Sequence, residues 1–206
     1  DERRYFVPGH SPCVFEVEGL RVGLLICEDA WHAGPAQDCA AAGAQMLAVI
    51  NASPFHRGKG AEREATMRAR VQETGLPLVY AHLVGGQDEV VFEGRSFALG
   101  ADGAVCARAP AFEEKLVFAQ VDTAQSAIKI IANMAPEQSP EAELWDALVL
   151  GVRDYVRKNG FPGVLLGLSG GIDSALVLAI AVDALGADKV RTVVMPSPYT
   201  ADISWI

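Results

Sequence analysis

The chain has 206 residues, of which 50% are hydrophobic and 21% charged, and a formal net charge of −9. That balance supports an ordinary globular core, and the acidity argues against a surface built to neutralise nucleic-acid phosphates, which needs Lys and Arg. No apolar run approaches the roughly 20 residues of a membrane span. The four cysteines, Cys13, Cys27, Cys39 and Cys106, form neither a CxxC pair nor a zinc spacing; isolated thiols fit a reducing, cytoplasmic setting.

In chain order, Asp1-Glu2-Arg3-Arg4 has no apolar leader, and Ile203-Ser204-Trp205-Ile206 stops without a cap; both ends read as cuts in a longer protein. Leu20 to Ile26 is an apolar run broken only by Arg21 and Gly23, a predicted buried strand, and Cys27-Glu28-Asp29 follow it. Pro35 to Ala42 is predicted as a helix stopped by Gly43. Met46 to Ile50 is a second strand, turned by Asn51-Ala52-Ser53-Pro54. Glu62 to Glu73 is a helix closed at Thr74-Gly75. Leu78 to Val84 is a strand ended by Gly85-Gly86, and Arg95 to Leu99 and Val117 to Val121 are extended, with Asp102-Gly103 as a turn.

The polar stretch 123–139 reads as a linker. It divides a first domain, 1–122, from a second, 140–206. Ser139-Pro140-Glu141 is a helix start, with a serine cap, proline at the first helical position and acids in the first turn. One predicted face of this helix carries Leu144, Leu148, Val152 and Tyr155, and Asn159-Gly160 closes it. A βαβ unit follows: strand Val164 to Leu168, helix Ser174 to Leu185, parallel strand Val190 to Met195. The class is α/β, a layered sandwich followed by the start of a Rossmann-like parallel sheet.

Between the first strand and the helix of that unit stands Ser169-Gly170-Gly171-Ile172-Asp173-Ser174. A strand feeding a helix through glycines presents backbone N–H groups and the positive end of the helix dipole to an anion. The loop lacks the lysine of a Walker A sequence. It is better suited to holding pyrophosphate as a leaving group than to transferring a γ-phosphate. Asp173 beside polyphosphate requires either a bridging Mg²⁺ or a capping role.

Cys27, at the end of a buried strand, is placed as a nucleophile at a strand-to-helix elbow could be. Glu28 and Asp29 oppose a thiolate, so a cation is needed, and none is adjacent in sequence. The histidines His10, His32, His56 and His82 are scattered. Position alone leaves a structural thiol equally open.

The SGGIDS string resembles the loop of the ATP pyrophosphatases, in which ATP adenylates a substrate oxygen, pyrophosphate leaves and a nucleophile displaces AMP. The wider string, Gly160-Phe161-Pro162-Gly163 through Asp173 and then Val193-Val194-Met195-Pro196-Ser197-Pro198-Tyr199-Thr200, resembles the NAD synthetases in particular. The resemblance implies ATP binding by Gly167, Leu168, Ser169, Gly170, Gly171, Ile172, Asp173 and Ser174, and Mg²⁺ at Asp173.

Three strings resemble the nitrilase-like amidases, in particular the glutaminase domain fused to bacterial glutamine-dependent NAD synthetases. They are Asp1-Glu2-Arg3-Arg4-Tyr5-Phe6, Gly23-Leu24-Leu25-Ile26-Cys27-Glu28-Asp29-Ala30-Trp31 and Asn51-Ala52-Ser53-Pro54-Phe55. That family uses a Glu–Lys–Cys triad. The resemblance makes Cys27 the nucleophile and Glu2 an accessory glutamate. It has Ser53 and Lys59 hold glutamine's α-carboxylate; the rival reading of Lys59 is a solvated loop lysine. It places the triad's Glu and Lys before Asp1, so residues 1–206 alone are not expected to hydrolyse glutamine. The implied fold of the first part is an α-β-β-α nitrilase-like sandwich. The implied reaction is amidation of deamido-NAD⁺ to NAD⁺ with ATP, Mg²⁺ and glutamine, in a homo-oligomer with a passage for ammonia, and with neither nucleic acid nor membrane as partner. Two alternatives remain: another ATP-pyrophosphatase amidotransferase with a different acceptor, and an inactive binding or scaffold module.

Overall fold

The computed structural model describes residues 4–7, 9–123 and 129–195. Two compact units are present. The first comprises Asp1–Leu83, Gly94–Pro110 and Glu114–Pro136; the second comprises Val84–Glu93, Ala111–Glu113 and Glu137–Ile206. The mixed α/β class expected from the sequence is the class observed.

The first unit is built on a six-stranded sheet. Its strands are β1 (Cys13–Val17), β2 (Leu20–Ile26), β3 (Met46–Asn51), β4 (Leu78–His82), β7 (Phe97–Leu99) and β8 (Val105–Arg108), in that spatial order. β2, β3 and β4 run parallel, and the outer pairings are antiparallel. Helices α1 (Ala33–Ala41) and α2 (Lys59–Thr74) are the crossovers that parallel neighbours require. They close one face over Leu25, Cys39, Leu47, Val49, Met67, Val71 and Leu78. The other face is apolar too, around Leu20, Val22, Met46, Ala98, Ala107 and Ile130. Gly23 lets α1 approach, since a Cβ there would lie 2.8 Å from the Cys39 Cβ.

The helices begin earlier than the sequence suggests: α1 at Ala33 rather than Pro35, α2 at Lys59 rather than Glu62. Neither has a side-chain cap, so no capping residue marks either start. The polar 123–139 stretch is not all linker. Lys129–Ala132 forms β10, antiparallel to β9 (Ala119–Asp122), because Ile130 packs onto the apolar face of the main sheet.

The second unit holds α3 (Pro140–Lys158), β11 (Val164–Gly167), α4 (Ile172–Leu185) and β12 (Val190–Val193). β11 and β12 are parallel, with Val164 opposite Val190. Ser139 caps α3 as expected, its Oγ accepting the Ala142 N–H at 3.2 Å. The buried residues of α3 are Ala147, Leu150 and Val156. Of the predicted face, Val152 packs against the core cluster of Val156, Ala184 and Leu185, and Leu148, Val152 and Tyr155 line an open apolar groove of about 690 Å³ with Phe161, Leu165 and Val177. Gly85 and Gly86 do not end a strand. They lie inside β5 (Val84–Gln87), which pairs with β6 (Val90–Glu93). Gly86 N–H donates to Asp154 Oδ2 at 2.8 Å, and Lys158 Nζ donates to the Gly86 carbonyl at 2.5 Å.

Candidate active site

Parallel pairing in register sets Ile26 beside Ile50 and Asn51 beside His82, so β2, β3 and β4 end together. The carboxyl ends of parallel strands are where open α/β sheets place ligand sites. Cys27, Ser53 and His82 all leave the sheet there.

Cys27 is half-buried and opens a short 3₁₀ turn, Cys27–Trp31, with φ of +46°. Left-handed backbone at a non-glycine residue costs roughly 1–2 kcal/mol, and such strain concentrates at functional elbows. Asp29 secures the turn: its Oδ2 accepts the Ile26 N–H at 3.0 Å. The acid beside Cys27 is thus partly engaged with backbone.

Ser53 is held from several sides. Its Oγ accepts Asn51 Nδ2 and Arg63 Nε, both at 2.9 Å. Its carbonyl accepts Arg63 Nη2 at 2.8 Å and His82 Nε2 at 3.1 Å. A carbonyl only accepts, so Nε2 carries the His82 proton. Burial pushes His82 down to about 4, and the nearby Arg63 charge pushes the same way. His82 is therefore a neutral structural donor at neutral pH, and among the described residues no hydrogen bond joins Cys27 to a histidine. Tyr80 stacks between His82 and Phe97, with centroids at 6.1 and 4.7 Å. Burial raises its phenol well above the ordinary value, against the lowering effect of Arg63.

A cation on this side of the sheet that the sequence did not signal is Arg63. It is only 2% exposed, on the inner face of α2 with Met67, Arg70 and Val71. Burial lowers its guanidinium, while Tyr80, Glu62 and Cys27 act in the opposite direction through their charges. An arginine stays protonated in such a setting. The available signal was helical spacing: Arg63 precedes Met67 and Val71 by one and two turns, on the apolar stripe. Lys59 is not a solvated loop lysine. It opens α2, lies 4.2 Å from the Trp31 ring centroid and donates to Glu62 at 2.9 Å. Glu2 lies outside the described residues, as does the 196–200 part of the synthetase-like string.

The phosphate-loop candidate occupies the β11–α4 turn of the second unit. Leu168 N–H bonds the Val193 carbonyl, tying the loop's start to β12. Gly170 has φ of +78°, the conformation that favours glycine here. α4 starts at Ile172, two residues before the expected Ser174, so Asp173 sits in its first turn. The two hydroxyls lie 3.1 Å apart, and Ser174 Oγ donates to the Gly171 carbonyl at 3.0 Å. The first-turn N–H groups have no intrahelical partner. Asp173 is exposed, with no ion pair among the described residues. One carboxylate together with phosphate oxygens is a usual Mg²⁺ arrangement, so Asp173 fits the ion that the loop's chemistry calls for.

No helix among the described residues is long and apolar enough to cross a membrane. The carbon–nitrogen hydrolase family model matches residues 1–129, and the NAD synthase model matches 144–205. Glutamine-dependent NAD(+) synthetases of Acinetobacter baylyi and Xylella fastidiosa (strain Temecula1) are 47% and 50% identical to the chain over 99% of its length. The chain spans 38% of the length of each. A solved glutamine-dependent NAD⁺ synthetase from Acinetobacter baumannii, in complex with ADP, covers all of this chain at 44% identity and a TM-score of 0.93, with 39% of its own length matched. The chain belongs to the carbon–nitrogen hydrolase family, and its residues 144–205 are similar to the NAD synthase family.

Proposed function

We propose that the parent protein amidates deamido-NAD⁺ to NAD⁺, drawing ammonia from glutamine at Cys27 and activating the acceptor with ATP at the 167–174 loop. The observation that carries this is the presence, on one chain, of a strained thiol at the parallel-strand ends and a lysine-free phosphate loop. In the first step the Cys27 thiolate attacks the glutamine amide carbon. The C–N bond breaks as the amide nitrogen takes up a proton and leaves as ammonia, and water then cleaves the thioester to glutamate and the free thiol. Ser53 and Lys59 hold the α-carboxylate, and Glu2 assists. In the second step the acceptor carboxylate attacks the α-phosphorus of ATP, and pyrophosphate departs into the loop formed by Gly167, Leu168, Ser169, Gly170, Gly171, Ile172, Asp173 and Ser174. Ammonia then displaces AMP to form the amide. Mg²⁺ at Asp173 would neutralise the pyrophosphate charge. The carboxyl ends of β2, β3 and β4 and the N-terminus of α4 supply the two anion-compatible settings.

The same reading makes 1–122 the end of the amidase domain and 140–206 the start of the synthetase domain. It also makes the protein a cytoplasmic homo-oligomer. The test is labelling of the full-length protein with a glutamine-like electrophile. One equivalent on Cys27, blocked by glutamine, is expected. Labelling spread over Cys13, Cys39 and Cys106, or indifference to glutamine, would sink the amidase half.

A further inference from the structure

We propose that Arg63 is a positioning residue of the Cys27 site: it fixes Ser53 so that the serine hydroxyl can act only as a hydrogen-bond donor toward a bound carboxylate. The inference rests on the glutaminase reading and deepens it.

A serine hydroxyl has two lone pairs and one proton. In Ser53 both acceptor directions are used, by Asn51 Nδ2 and Arg63 Nε at 2.9 Å each. What remains is the O–H, which must donate, either to the adjacent buried Tyr80 phenol or, in its place, to a bound ligand. A carboxylate accepts and cannot donate, so this Ser53 is matched to the α-carboxylate of an amino-acid amide. It is mismatched to an ammonium or amide N–H at the same point. The carbonyl of the same residue is held by Arg63 Nη2 at 2.8 Å and His82 Nε2 at 3.1 Å, and Arg63 Nη2 also reaches the Pro54 carbonyl at 3.4 Å. The backbone of the residue is thereby fixed, and turning the side chain to offer its lone pairs elsewhere would break both hydroxyl contacts.

A rigid planar fork engages the hydroxyl and the carbonyl of one residue together with less ordering than a flexible ammonium would need. Burying a guanidinium at 2% exposure on an apolar helix face is costly unless its donors are used. Its Nε and Nη2 donors go to the Ser53–Pro54 turn. Arg63 acts through Ser53; it need not touch the substrate itself.

The test uses the full-length protein with glutamine or ammonium as nitrogen donor. Arg63→Lys keeps the charge and loses the fork. The expected result is a glutamine KM raised on the order of tenfold, the scale of one charge-assisted hydrogen bond, with the ammonium-supported rate unchanged. Ser53→Ala should raise the same KM. The double variant should add less than the sum of the two, because both remove one arrangement. Ethylguanidinium should partly restore an Arg63→Ala variant. An unchanged glutamine KM in Arg63→Lys, equal losses with both donors, or full additivity with Ser53→Ala would overturn the proposal. Cys27→Ala is the control for the underlying reading: if it keeps glutamine-dependent activity, the amidase site itself is misassigned.

Discussion

Arg63 grips Ser53 at two points, Nε on the hydroxyl at 2.9 Å and Nη2 on the carbonyl at 2.8 Å. The pair joins a helix on one face of the sheet to the loop leaving β3, ten residues away in sequence. It gives the carboxyl ends of three parallel strands a fixed polar floor beside Cys27. A site built this way is preorganised, since its donors are aimed before any ligand arrives.

Strain at Cys27 can be measured. With φ of +46°, a glycine should fit this backbone better than an alanine. Cys27→Gly is expected to be more stable than Cys27→Ala by about 1 kcal/mol, although neither has a nucleophile. Denaturant melts of the two variants decide it. The reverse ranking would remove the elbow strain from the account.

His82 predicts a pH signature. Its folded value, about 4, lies below the ordinary 6.5, so the unfolded chain takes up a proton that the native state refuses. Stability attributable to His82 is complete above 6.5 and is lost as pH falls from 6.5 to 4, to a total of about 3 kcal/mol. Denaturant melts across that window should show the slope, and His82→Gln should flatten it. A wild-type stability that does not change between those limits would mean His82 is not held neutral by burial.

Gly163 abuts the turn that leads into β12 so closely that a Cβ there would run into the Lys189 carbonyl oxygen. Gly163→Ala should cost about 1–3 kcal/mol through overpacking and raise amide exchange in β11 and β12. Gly160 is the comparison: its φ is +70° but nothing lies within 4 Å, so Gly160→Ala should show only the left-handed penalty. Equal exchange in the two variants would contradict the close approach.

Asp173, exposed in the first turn of α4, should govern the Mg²⁺ dependence of ATP binding. Calorimetry on the full-length protein is expected to show that Mg²⁺ tightens ATP in the wild type and much less in Asp173→Asn. The same Mg²⁺ gain in both would assign the ion elsewhere.

Much of this was legible in the residues. The run Leu20 to Ile26 became β2 at its expected bounds, because a strand buried on both faces reads as continuous apolar sequence. The serine cap of α3 and the glycine loop before α4 carry their own local chemistry and could be read directly. The starts of α1 and α2 could not, because no side chain caps them. Gly85-Gly86 looked like a strand end, yet the glycines let β5 lie against α3: a Cβ on Gly86 would sit 3.1 Å from that of Asp154. Arg63 was hidden because a charged residue does not mark an apolar face, and its partners Ser53 and His82 are distant in sequence.

The most direct measurement is NAD⁺ formation by the full-length protein carrying Cys27→Ala, from deamido-NAD⁺ and ATP, once with glutamine and once with ammonium. Loss with glutamine and retention with ammonium is the expected result; it would place Cys27 in an amidase site separate from the ATP loop. Equal activity with both donors would make Cys27 a structural thiol and contradict the central claim.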